Sequence, residues 1–395
     1  MDFRPGEEQA AIRELARGIL DKEVTRERLG AAEAADGFDA RLWATLAEAN
    51  LLGVAVPETQ GGMGLGLPEL LALCEEVGRA VAPAPVGAAL VTGGLPIARF
   101  GDAAQQAAWL APLASGEALL SAALDDPGSG DVERPATRAR RDGSDVRLDG
   151  AKRFVPLGPR AARVLVPAAL DGATGVFLLD PAAAGVSWTA ARMSTGTPLF
   201  ALELDGARVA GADRLGGDGS AASRMGDGSA ASRMGDGSAV ARFTHDCGVI
   251  AACATQIGVC ERALEITTGH LREREQFGAP IGSFPAVQQR AADAWIDLQA
   301  LRWTTWRAAW RLAEGLPAAR ELLVARFWAA EAGQRITDTT QHLHGGLGVD
   351  VDYPIHRYFL WSRSLAQGVG GAAPTLATLG RELAASPPGP EAQIA

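Results

Sequence analysis

Apolar residues recur with helical spacing over the first 116 positions. In 7–24, Ile12, Leu15, Ala16, Ile19 and Leu20 share one face of a 3.6-residue period. Residues 42–50 form a second such stretch, and 51–66 interrupt it with glycines. The pattern resumes over 67–81, with Leu70, Leu71, Leu73 and Val77 inward. Two more short helices are expected over 84–100 and 103–111, the second opened by Asp102, whose carboxylate can take up a free backbone N–H. Near 116 the texture changes. Short apolar or alternating runs at 118–124, 146–148, 162–168, 175–179 and 201–204 are separated by Pro, Gly and Asp, which reads as strands joined by turns. Trp188 is the kind of aromatic such a sheet buries. Helical period returns over 246–270, 286–314 and 317–341, with last helices in 354–365 and 374–383. Pro317 stands at a helix start, where its missing N–H costs little. Trp303, Trp306 and Trp310 recur at i, i+3 and i+7, a spacing that points to helix packing.

The expected fold is mainly α with a middle β-domain. The boundaries expected are an N-terminal helical domain over 1–116, a β-domain over 117–211, a linker over 212–240, a helical bundle over 241–385 and a disordered tail over 386–395. The linker carries an internal repeat. Residues 217–225 and 226–234 are the same nine residues, Gly-Asp-Gly-Ser-Ala-Ala-Ser-Arg-Met, and 235–243 is a degraded third copy. Three copies without an apolar residue per turn are too few to stack as a calcium-binding roll. A flexible tandem expansion is the expected form.

Composition narrows the classes. A net charge of −10 and a pI near 5.1 argue against nucleic acid as a partner. The N-terminus lacks the apolar core of a secretory signal, so a cytoplasmic location is expected. The charge-free stretch 80–98 is broken by Pro83, Pro85 and Pro96 and by glycines, and no membrane span is expected. Cys74, Cys247, Cys253 and Cys260 form no Cys-x-x-Cys pair, and buried free thiols are expected. His342 and His344 lack the carboxylate or cysteine neighbours of a metal site.

The chemistry-bearing stretch is 272–289, which ends one helix and begins another across Gly278 and Pro280. Arg272 and Arg274 offer forked donors to phosphate or carboxylate oxygens. Alone, they read better as the basic residues expected at a helix C-terminus.

The whole run, Arg274-Glu275-Gln276-Phe277-Gly278 with Pro280-Ile281 and Ser283-Phe284, resembles the flavin-contacting signature of acyl-CoA dehydrogenases. His342-Leu343-His344-Gly345-Gly346-Leu347-Gly348 with Tyr353-Pro354 looks like that family's Gly-Gly segment. Val56-Pro57-Glu58 with Gly61-Gly62-Met63-Gly64 is similar to its N-terminal signature. The blocks stand in family order over most of the chain. The resemblance implies a barrel-like middle domain, a C-terminal four-helix bundle and an oligomer, dimer or tetramer. It implies α,β-dehydrogenation of an acyl-CoA thioester, in which a carboxylate takes the α-proton and FAD takes the β-hydrogen as hydride. An electron-transfer acceptor then reoxidises the flavin. FAD is expected between the β-domain and the C-terminal helices, its diphosphate meeting Arg274 from a neighbouring subunit, with Gln276, Phe277, His342, Gly345 and Gly346 nearby. Residues 124–131 resemble the family's Thr-Glu-Pro…Gly-Ser-Asp block, with Asp125 where a hydroxyl usually faces the flavin. Phe154 matches an aromatic laid against the flavin, with Pro156 in place of a following hydroxyl. Pro285 and His342 each replace a usual Gln.

The base departs from the family. The usual Glu falls near Val369, and no Asp or Glu occurs between Asp352 and Glu382. The alternative family position, on the first C-terminal helix, falls at Gly248; Asp246, two residues away, faces elsewhere on a helix. Such a chain is similar to the base-less partner subunits of heteromeric bacterial acyl-CoA dehydrogenases, including those acting on sterol side chains, in which a homologous companion supplies the Glu. A flavin monooxygenase or oxidase on the same fold, and a non-enzymatic structural paralogue, are the alternatives.

Overall fold

The computed structural model describes residues 5–216 and 237–385. Both full copies of the nine-residue repeat and the tail expected over 386–395 lie outside the described residues. The chain divides into two compact units, one of 14–73 with 83–248, the other of 1–13, 74–82 and 249–395.

The first unit holds most of the N-terminal helices and the sheet. Helices α1 (Glu7–Glu23), α2 (Arg26–Ala34) and α3 (Ala40–Glu48) follow one another. Thr25 Oγ1 accepts from Arg28 N–H at 3.3 Å and Asp39 from Leu42 N–H at 2.9 Å, satisfying donors that the first turn leaves open. After α4 (Leu67–Ala80), the expected single helix over 84–100 is instead a π-helical stretch, Gly87–Gly94, running into α5 (Leu95–Phe100). Close packing accompanies the wider turn: a Cβ on Gly93 would stand 2.5 Å from Leu120 Cβ. Helix α6 (Ala103–Ala114) opens on Asp102 as expected, in a reciprocal box with Gln105.

Eight strands follow: β1 (Leu120–Ala122), β2 (Arg138–Asp142), β3 (Asp145–Pro156), β4 (Arg163–Leu170), β5 (Ala173–Leu179), β6 (Val186–Arg192), β7 (Pro198–Val209) and β8 (Arg214–Leu215). They run β6-β7-β3-β2-β4-β5-β8, with β1 parallel to β4. Leu148, Val155, Val166, Phe177, Leu202 and Val209 share one apolar core, so the sheet curls over its own interior. Trp188 is only partly buried; it packs edge-on to Phe200 at 6.1 Å and donates to the Pro181 carbonyl at 3.0 Å. Its strand is the sheet's edge, which explains the remaining exposure.

The second unit is helical. Helix α7 (Gly237–Glu273) begins inside the expected linker, so part of the degraded third repeat copy is its first turns. Hairpin strands β9 (Glu275–Gln276) and β10 (Ala279–Pro280) follow, then α8 (Pro285–Ala313), α9 (Ala319–Leu343), α10 (Ile355–Gly368) and α11 (Ala372–Ala385). By length and apolar content α7 is the one candidate membrane-crossing helix among the described residues, and 67% of its most apolar window is buried in the protein. All four cysteines are free and buried, and burial pushes the Cys74 and Cys253 thiols up to about 12.

Helices α4 and α7 touch backbone to backbone. A Cβ on Gly258 would stand 1.8 Å from the Glu75 carbonyl oxygen, and one on Gly78 2.0 Å from that of Thr255. Gly258→Ala is therefore expected to destabilise the fold by about 2 kcal/mol through forced separation of the helices, read as a lower denaturant midpoint. Beside this crossing, buried Glu75 accepts from Arg13 and, at 2.7 Å, from Trp306 Nε1. The tryptophan stripe does not pack as expected. Leu298, Leu301, Thr305 and Ala308 take the inward face of α8, leaving Trp303 and Trp310 44% and 37% exposed.

Candidate functional site

Helix α7 stops where its sequence turns to Arg-Glu-Gln-Phe-Gly. Arg274 N–H still reaches the His270 carbonyl at 2.8 Å, and the Arg274 carbonyl accepts from Ile281 N–H at 2.8 Å. Between them Phe277 (φ 55°) and Gly278 (φ 78°) are both left-handed, the requirement of a tight two-residue hairpin. Gly278 adopts this freely; Phe277 does so against its Cβ. The turn puts the Phe277 ring 94% in solvent, braced edge-on by Phe284 at 6.2 Å. Arg272, Arg274 and Gln276 are exposed along the same hairpin. Neither arginine is paired with a carboxylate among the described residues. An exposed ring beside unpaired guanidinium groups is a surface built to be covered.

The Gly-Gly block is the turn Gly345–Val349 that ends α9. Gly345 has φ +59° and open space where a Cβ would be; Gly346 is open as well. Gly348 is required by contact, since its Cβ would lie 2.2 Å from the Gln341 carbonyl oxygen. His342 is exposed, while His344 is buried and its Nδ1 lies 2.8 Å from the Thr340 carbonyl, which makes Nδ1 the protonated nitrogen. The two do not form a joint ligand set, and no group of three or more His, Cys, Asp or Glu that could hold a metal occurs among the described residues. The His344 ring instead stacks on His270 at 4.5 Å, joining the Gly-Gly turn to the hairpin.

In the sheet unit, Phe154 lies where the β3–β7 register shifts between Lys152 and Val155. Its φ is 53°, a costly conformation for an aromatic residue in a strand, and its ring is 61% exposed. Arg153 lies over that ring at 5.4 Å. Asp125 forms a bridge to Arg153, accepting the backbone N–H at 2.8 Å and a guanidinium N–H at 3.3 Å.

The neighbour Asp126, not singled out from the sequence, is buried. It accepts from Lys152 Nζ at 2.8 Å, Thr137 N–H at 3.1 Å and Thr137 Oγ1 at 2.6 Å. Lys152 is wholly buried; loss of water holds its pKa below the usual lysine value, partly offset by Asp126. A sequence signal existed: Val146, Leu148 and Lys152 fall on the same inward side of β3 by alternation.

Val369, Gly248 and Asp246 lie in closed or occupied surroundings. Val369 caps α10 at 1% exposure, its carbonyl accepting from Arg326 Nε at 2.8 Å. A Cβ on Gly248 would meet Thr92 Cγ2 at 2.8 Å. The Asp246 carboxylate lies 3.0 Å from His245 Nδ1, already engaged.

The donor set suits a flavin dinucleotide. Within the helical unit, guanidinium groups match diphosphate oxygens, the exposed Phe277 ring matches a flat heterocycle, and open glycines allow close backbone approach. Residues 6–117 match the family model of the acyl-CoA dehydrogenase N-terminal domain and 235–384 that of the C-terminal domain. The chain is 38% identical to acyl-CoA dehydrogenase FadE27 of Mycobacterium tuberculosis, covering 98% of this chain and all of that one. Among solved structures it resembles a chain of the ChsE4–ChsE5 complex from Mycobacterium tuberculosis (38% identity, TM-score 0.88, covering 98% and 100% of the two chains). It also resembles a chain of a variant Tcur3481–Tcur3483 steroid ACAD (40% identity, TM-score 0.85, covering 96% and 98%). This chain belongs to the acyl-CoA dehydrogenase family, the FAD-binding flavoprotein oxidoreductases of lipid metabolism.

Proposed function

We propose that this chain is one subunit of a heteromeric, cytoplasmic acyl-CoA dehydrogenase, contributing to a shared FAD site while a homologous partner supplies the α-proton base. One observation carries the reading. Counted along the sequence the family's Glu falls near Val369, Val369 is buried, and residues 353–381 contain no carboxylate. A base must come within hydrogen-bond reach of the proton it removes, and neither Val369 nor Gly248 carries an ionisable side chain. The likeness to single chains of two-component assemblies supports the same reading.

In the helical unit, Arg274 and Gln276 would hold the diphosphate, Phe277 would cover a flat part of the cofactor, and Gly345, Gly346 and His342 would admit it closely; in the sheet unit, Phe154 and Asp125 would face a flavin. FAD, when bound, supplies the hydride acceptor. An electron-transfer partner restores it. The remaining tasks of this chain are to bind, orient and exclude water. Visible absorbance of the purified proteins tests the shared site. Flavin bands are expected in the complex with a base-bearing homologue, at several times the occupancy of the chain alone. A complex that stays colourless contradicts the reading.

A further inference from the structure

We propose that His270 and His344 are positioning residues, a stacked imidazole pair that locks the Arg274 hairpin to the Gly345–Gly346 turn and makes cofactor retention pH-dependent. His270 lies four residues before Arg274 and accepts the Arg274 backbone N–H on its carbonyl. His344 immediately precedes Gly345. Their rings lie 4.5 Å apart at 25°, and Tyr353, at the far end of the same loop, closes on His344 at 5.1 Å. The two segments are therefore held through one ring stack.

The stack opposes a second charge, because protonating both rings would set two like charges 4.5 Å apart. His344 Nδ1–H is committed to the Thr340 carbonyl, and Nε2 is buried without a hydrogen-bond partner. A proton arriving at Nε2 would create a buried N–H with no acceptor, facing a second ring that repels it once charged. The charged and titratable groups facing the pair are Glu273 and Arg274 at His270 and Tyr353 at His344; His342, Asp350, Asp352 and His356 are their neighbours along the chain. Burial lowers both imidazole pKa values; Arg274 lowers that of His270 further while Glu273 partly restores it, and for His344 the Thr340 hydrogen bond partly offsets burial while His270 adds to it. With folded values depressed, the contribution of the pair is present above the ordinary histidine pKa of about 6.5 and is lost as pH falls below it.

The proposal rests on the reading of these two segments as cofactor-binding, so its test has two readouts. In the complex with a base-bearing homologue, FAD affinity is expected to fall about tenfold between about pH 7.5 and 5.5. Hydrogen exchange of 274–280 and 345–353, corrected for intrinsic rates, is expected to rise together over the same interval, with or without flavin. His270→Phe keeps a ring to stack but cannot titrate, and should shrink both pH responses to about threefold or less. His344→Asn keeps an N–H for Thr340 but removes the ring, and should raise exchange of both segments about tenfold at every pH. A wild-type pH response retained in His270→Phe overturns the proposal. So does wild-type exchange in His344→Asn. A colourless complex at all pH values would fail the cofactor reading, and the exchange data would still decide the ring pair.

Discussion

Replacing Arg274 by methionine is expected to weaken FAD binding to the assembled enzyme by about 10- to 100-fold, the range of one lost charge-assisted contact of about 1.5–3 kcal/mol. The argument starts from cost. Arg274 is exposed, projects from a tight hairpin and is paired with no carboxylate among the described residues, so the fold gains little from it. The change should leave thermal unfolding of the chain within about 0.5 kcal/mol of wild type. Arg274→Lys keeps the charge but loses the fork, and should fall between the two. Titrating apo-complex with FAD and following flavin fluorescence measures the effect. Unchanged affinity in Arg274→Met would detach the hairpin from the cofactor.

The second large effect lies in the sheet. Lys152→Met leaves the Asp126 carboxylate buried with only Thr137 as donor, and removing one partner of a buried pair costs about 3–5 kcal/mol. Adding Asp126→Asn neutralises the stranded charge, and the double variant should recover most of that loss. Two residues beyond Lys152, Phe154 is held left-handed at the register shift. Near-ultraviolet circular dichroism and denaturant midpoints of the single and double variants separate the contributions. A single variant as stable as wild type would mean that Asp126 has another partner.

Helical period made α8 and α9 legible to within a few residues because each carries one continuous apolar face. The same rule failed over 84–100, where nearly every residue is apolar and period cannot distinguish a π-helical stretch from an α-helix. Strand β2 was invisible for the opposite reason. Its residues are Arg-Ala-Arg-Arg-Asp, and only Ala139 turns inward. Its arginines are matched across the sheet by exposed pairs such as Arg140–Asp149 at 2.8 Å and Arg141–Asp171 at 2.6 Å. The tryptophan stripe misled because spacing shows that residues share a face, not which side of the helix meets the core.

The hairpin and the Gly-Gly turn proposed for the cofactor were legible in the sequence as turns, but not how they are joined. The His270–His344 stack links residues 74 positions apart, which no local pattern encodes. Lys152 was overlooked because charge masks a buried position until alternation along the strand is followed. The run 353–381 was the opposite case, its lack of carboxylates plain in the sequence, and Val369 within it is buried in the helical unit.

The central claim is that this chain cannot remove the α-proton itself. Anaerobic mixing with a bulky acyl-CoA, followed by flavin bleaching, tests it most directly. Three FAD-loaded samples are compared: the chain alone, its complex with a base-bearing homologue, and the same complex with that homologue's Glu changed to Gln. Bleaching only in the unmodified complex, at least about 100-fold faster than in the other two, is the predicted result. Full-rate bleaching by the chain alone, or by the complex lacking the partner's Glu, would contradict it.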